Sequence, residues 1–208
     1  QLGYELLSKF SPFSSFAPLV RFHHVKWENG KGRRAFGEKV PYASHVIHLA
    51  DRIAVLLDRR KPVFGQVKSI SERIIKHSGR FFVPAFVDAF LDISKREAFW
   101  LDLKNSQMDR VIQKFSPLPK TSLTMENLTE LARFFSLIID TRSRFTATHS
   151  SGVAFCAAKL GSLMDMSAQD CAKLKIAGYL HDLGKLAVPD TVLSKPDKLN
   201  DKEWQIMR

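Results

Sequence analysis

Cysteine is scarce in this chain: Cys156 and Cys171 are the two found among 208 residues. Both sit at apolar helical positions and read more readily as buried thiols than as a disulfide, which fits a reducing, cytoplasmic setting. Long apolar runs are missing too. None reaches the length of a membrane span, and the opening residues lack the basic-then-apolar order of a secretory signal. Sustained period-two alternation is absent, so strands are not expected and the fold class is all-α. Acidic residues are outnumbered, 21 against 32 basic ones, leaving a net charge of +11. Such a balance could attract nucleic acid, an anionic membrane or a phosphate-rich small ligand. The basic residues are spread along the chain, with brief clusters only at Arg33-Arg34 and Arg59-Arg60-Lys61. With no nucleic-acid module beside them, the charge reads as solvated surface that helps draw in a small anion.

What is present is organised around Tyr179-Leu180-His181-Asp182-Leu183-Gly184-Lys185. Ser167 and Asp170 stand three apart before an apolar run, a capping-box-like start with the shorter acid. Leu174, Ala177, Gly178 and His181 then share a helical face, which turns His181 toward the core. The two small residues below it would let another helix approach closely. Gly184 follows as the expected C-cap. Adjacent His and Asp give a nitrogen and carboxylate oxygens, a donor set for a hard or borderline divalent metal. A bare pair also admits a plainer reading, a core histidine satisfied by a backbone carbonyl beside a solvated Asp182.

Other elements are legible at the same level. His149 shares a face with Phe145, Val153 and Cys156. A long helix is expected from about Met125 to Asp140, with Thr124 as N-cap and Leu123 and Leu128 as a hydrophobic staple. Its apolar stripe reads Leu128, Leu131, Phe135 and Ile138, widened by Phe134, Leu137 and Ile139. Earlier in the chain, Leu19, Val20, His23 and Trp27 share a face, with His24 beside His23. Asp51 has Ile47, Ala54 and Val55 as helical neighbours, so its carboxylate is expected to face inward. That arrangement is costly unless the acid is paired or metal-bound, and Arg52 and Arg21 are the candidate partners. His77, next to Gly79, suits a helix C-terminus. The two-proline stretch Ser116–Ser122 reads as a linker.

Residues from about Asp140 onward resemble the first half of an HD-GYP domain, a branch of the HD metal-dependent phosphohydrolases. The resemblance is carried by TATHSSGVA around His149, AGYLHDLGKLAVPD around His181-Asp182, and LSKPDKLNDKEWQIMR. It implies that His149, His181 and Asp182 are metal ligands and that Lys185 approaches the substrate phosphate. Relatives with three metals carry an acid four residues before the first histidine. Phe145 stands at that position, so two metals are expected.

Residues 1–103 resemble the second half of such a domain, through LGYELLSKFSPFSSFAPLVRFHHVKWENGKG, EKVPYASHVIHLADRIAVLLDRR and RFFVPAFVDAFLDI. There His23, His24 and Asp51 match the family's His-His pair and last acidic ligand. Gly32-Arg33-Arg34 replaces the Gly-Tyr-Pro signature, which implies a degenerate unit. The expected layout is therefore 1–103 as one half-domain, 104–122 as linker and 123–208 as the other, a piece of a longer tandem protein. A composite site between the two halves is the less favoured alternative.

The resemblance further implies hydrolysis of a cyclic dinucleotide phosphodiester, cyclic di-GMP foremost. Asp182 and Lys185 would be catalytic, and two ions, iron or manganese, would stand roughly 3.5–4 Å apart. A nucleotide is the expected small-molecule partner, with a homodimer or other signalling domains as protein partners. The alternative is a non-catalytic HD-type signalling or dimerisation module whose metal residues are relics.

Overall fold

The computed structural model describes residues 2–105, 122–142 and 148–207. Among these the chain is helical apart from one short hairpin and an isolated bridge. It divides into two compact units, one of Gln1–Leu7 with Phe13–Lys120, the other of Ser8–Pro12 with Thr121–Arg208. The expected linker at Ser116–Ser122 lies, but for its last residue, outside the described residues.

In the first unit, α1 (Leu2–Ser8) and α2 (Ala17–Arg21) precede a hairpin of β1 (Arg34–Ala35) and β2 (Glu38–Lys39). Then come α3 (Tyr42–Leu56), α4 (Val67–Lys76), α5 (Pro84–Ser94) and α6 (Glu97–Lys104). Their core is Leu49, Ile53, Ile70, Ile74, Phe82, Val87, Phe90 and Trp100 with their neighbours. The buried Trp100 satisfies its indole by donating to the Ser94 carbonyl at 2.8 Å. Backbone amides of Trp27, Glu28 and Asn29 bond the carbonyls of Phe81, Arg80 and Gly79, tying the loop after α2 to the turn after α4. Gly32 is obligatory in that loop, because a Cβ there would stand 1.9 Å from the Lys26 carbonyl oxygen. His77 caps the end of α4 and stacks on Phe81 at 4.5 Å.

The second unit holds α7 (Met125–Arg142), α8 (His149–Leu163), α9 (Ala168–Leu180), α10 (Asp190–Leu193) and α11 (Asp201–Met207). Thr124 and Asn127 cap α7 reciprocally, each backbone amide donating to the other's side chain at 3.2 Å. Ser167 caps α9 by accepting from the Asp170 amide at 3.1 Å. Helices α8 and α9 approach so closely that a Cβ on Gly178 would stand 2.5 Å from Ala154 Cα. Ala154 is fully buried there, packed with Ala132 and Tyr179. The buried face of α7 is Ala132, Phe134, Ser136, Ile139 and Asp140, while Leu128 and Phe135 of the expected stripe stay exposed. Apolar character alone set that stripe, and small or polar residues took the places of closest approach. Cys156 is likewise exposed rather than buried, and both thiols are free.

Candidate metal centre

His149 opens α8 and His181 closes α9, so two antiparallel helices bring the imidazoles together at one end of the unit. Ring centroids are 5.4 Å apart. Asp182 follows His181, and one donor atom from each of the three side chains lies within 4.8 Å of the others. Among the described residues these are the only three His, Cys, Asp or Glu side chains gathered in this way.

Second contacts orient the donors. His181 Nδ1 lies 2.9 Å from the Gly178 carbonyl, one helical turn back. That carbonyl requires Nδ1 to carry the proton, which leaves Nε2 as a lone-pair donor. Asp182 Oδ2 accepts from Lys185 Nζ at 2.7 Å and lies 3.3 Å from His181 Nε2. The group fits a divalent cation: two nitrogens and a carboxylate, convergent, with the His181 tautomer set by the backbone. No thiolate is among them, which sets the group apart from cysteine-rich structural zinc sites.

Two local expectations are corrected. His181 is half-exposed, its side chain 35% accessible, because α9 ends at Leu180 and the histidine caps it at the rim. Gly184 is no left-handed cap either. It lies inside a 3-10 turn, Leu183–Ala187, without positive φ, and open space surrounds its Cβ position. That turn folds Lys185 back onto Asp182. Phe145, which argued against a third ion, lies outside the described residues.

The first unit does not gather His23, His24 and Asp51 in the same manner. The two rings are tilted 39° to one another with centroids 3.8 Å apart, and His23 Nδ1 lies against the Val20 carbonyl. Asp51 does not face the interior: Ile47 and Val55 on its face are 37% and 64% exposed, and its own side chain is 35% exposed. Arg52 Nε donates to Asp51 Oδ2 at 2.9 Å, whereas Arg21 pairs with Glu38. That hydrogen bond, with smaller help from His24 and His23, holds the Asp51 carboxyl below the usual carboxylate range. The buried face of α3 instead carries Ser44, His45, His48, Leu49 and Ile53.

His45 and His48 went unnoticed in the sequence, although they stand three apart with Leu49 and Ile53 completing the face. His45 packs edge-on against Trp27 and His48 against Phe82. Burial lowers both pKa values, and for His48 the nearby His24 lowers it further. Carbonyls of Gly32 and Val25 near His45 oppose the shift weakly, and neither makes a hydrogen bond of good geometry to its ring.

Comparison with known proteins places the chain among similar sequences and folds. Residues 133–208 match the family model described as an HD domain. The 3'3'-cGAMP-specific phosphodiesterase 1 of Vibrio cholerae serotype O1 is 27% identical over 210 residues, 97% of this chain and 48% of that protein. Phosphodiesterase 3 of the same specificity and organism is 30% identical over 86% of this chain and 39% of its own length. A cyclic di-GMP phosphodiesterase of Thermotoga maritima is 27% identical over 50% of this chain and 30% of that protein. The chain thus spans about half, or less, of the length of the curated relatives it matches. A crystal structure of a cyclic GMP-AMP specific phosphodiesterase of V. cholerae superposes with a TM-score of 0.67 at 24% identity, over 98% of this chain and 49% of that one. That likeness concerns the fold. An HD domain is thus matched across His149, His181 and Asp182, and the chain is similar to proteins named as cyclic dinucleotide phosphodiesterases.

Proposed function

We propose that this chain carries the first metal-ligand set of a phosphodiesterase that hydrolyses a cyclic dinucleotide, with 3'3'-cGAMP the leading substrate. The observation that carries the reading is the convergence of His149, His181 and Asp182 within 4.8 Å. The relatives aligned over most of the chain are named for 3'3'-cGAMP, while a cyclic di-GMP enzyme aligns over half of it. That moves cyclic di-GMP, foremost by resemblance, to second place.

His149 and His181 would each give a ring nitrogen and Asp182 a carboxylate oxygen, to a centre of two ions. A divalent ion held there supplies Lewis-acid polarisation of a phosphate oxygen and acidifies water at neutral pH. The chain's own residues do the remainder. The Gly178 carbonyl keeps the proton on His181 Nδ1, so the donor nitrogen stays available. Asp182 brings the negative charge, and Lys185, 2.7 Å from it, stands where a non-bridging phosphate oxygen would arrive. The ammonium would then stabilise charge gathering on the phosphate as water attacks in line.

A second reading applies to the first unit alone, as a degenerate, non-catalytic signalling module. It is favoured there by the Asp51–Arg52 pair and by the exposed His24, which leave no three-donor cluster in that unit among the described residues.

Hydrolysis of 3'3'-cGAMP and cyclic di-GMP by the full-length protein, wild type beside His181→Ala and Asp182→Ala, tests the proposal. Turnover in both variants should fall to background, with 3'3'-cGAMP preferred by the wild type. Unchanged turnover would remove these residues from the mechanism.

A further inference from the structure

The end of α7 and the start of α8 meet through a buried polar contact. Ser150 Oγ donates to Asp140 Oδ1 at 2.7 Å, with Ser150 fully buried and Asp140 5% exposed. Asp140 Oδ2 has no hydrogen-bond partner among the described residues. Burying a carboxylate with one oxygen unsatisfied is costly. Its place in the last turn of α7, at the negative end of that helix, adds to the cost. What offsets this is the neighbour across the contact: Ser150 is the second residue of α8, where unpaired amides favour an anion.

Ser150 also follows His149 directly. The hydroxyl–carboxylate bond therefore pins the first turn of α8 to α7 one residue from the imidazole that faces His181. We infer that Asp140 is a positioning residue for the metal centre, acting through Ser150 to hold His149 in register with His181 and Asp182. This inference rests on the metal reading of those three side chains. Asp140 is not itself a donor to the cluster.

The experiment is a Mn²⁺ titration of the chain, followed by the electron paramagnetic resonance of free Mn²⁺, with thermal unfolding recorded for each variant. Asp140→Asn and Ser150→Ala should bind roughly 10–100-fold more weakly than wild type while remaining folded. Ser136→Ala removes another buried hydroxyl of α7, one bonded to the Arg133 carbonyl, and should bind like wild type. Wild-type affinity in Asp140→Asn and Ser150→Ala would overturn the inference, even with a lowered melting temperature, because the contact would then be structural only. Should Asp140→Asn fail to fold, Ser150→Ala decides. His149→Ala separates the two readings: if it binds like wild type, or wild type binds no Mn²⁺, the metal centre fails and this inference with it.

Discussion

Asp182 Oδ2 accepts from Lys185 Nζ at 2.7 Å, while His181 Nε2, its lone pair free, lies 3.3 Å away. A cation arriving at this carboxylate shares it with the lysine, whose ion pair is part-buried and worth up to about 1 kcal/mol. Lys185→Met should therefore tighten Mn²⁺ binding by up to about fivefold. The same change should lower kcat/KM for a cyclic dinucleotide, since no ammonium then meets the phosphate. Paramagnetic titration and product chromatography read the two effects separately. Weaker metal binding would instead make the lysine a brace for Asp182. At this scale the sequence was informative about identity and poor about direction. Residue types and order marked His149, His181, Asp182 and Lys185. The half-exposed attitude of His181 depends on α9 stopping one residue earlier, which no local signal announces.

Between helices, the tightest approach of the second unit is at Gly178, where the Ala154 backbone fills the space a side chain would need. Gly178→Ala should destabilise that unit by about 1–3 kcal/mol through overpacking, measured by urea unfolding. It should also weaken Mn²⁺ binding, because the residue whose carbonyl orients His181 must move. The small-residue pair Ala177-Gly178 pointed to close packing in the sequence, and the buried member proved to be Gly178 alone. Asp51 shows the opposite outcome. Its apolar neighbours Ile47 and Val55 suggested an inward face, yet the histidine-bearing face of α3 is the buried one. Two histidines with Leu49 and Ile53 made up the more interior stripe, and weighting imidazole as polar hid it. Asp140 was hidden in the same way, a charged residue closing an apolar run and read as a boundary rather than as core.

On the scale of the molecule, the first unit should respond to mild acid. Folded-state pKa values of His45 and His48 lie below the ordinary 6.5, with burial the main cause. As pH falls through 6.5 the unfolded chain takes up protons that the folded unit does not, so stability is full above that value and declines below it. Urea unfolding followed by the fluorescence of Trp27 and Trp100 should give a flat midpoint from pH 8 to 7 and a falling one from pH 6.5 to 5. Replacing both histidines by leucine should flatten the slope, and an unchanged slope would place its origin elsewhere.

The pairing of Asp51 with its immediate neighbour Arg52 has a further consequence for this unit. An acid neutralised by the next residue on its own helix carries its counter-charge wherever that helix goes. It exerts no demand for a foreign ion, and no distant donor has to stay in place on its behalf. Such a segment keeps its charge balanced from within, so the packing of the surrounding helices does not depend on what else comes to bind there.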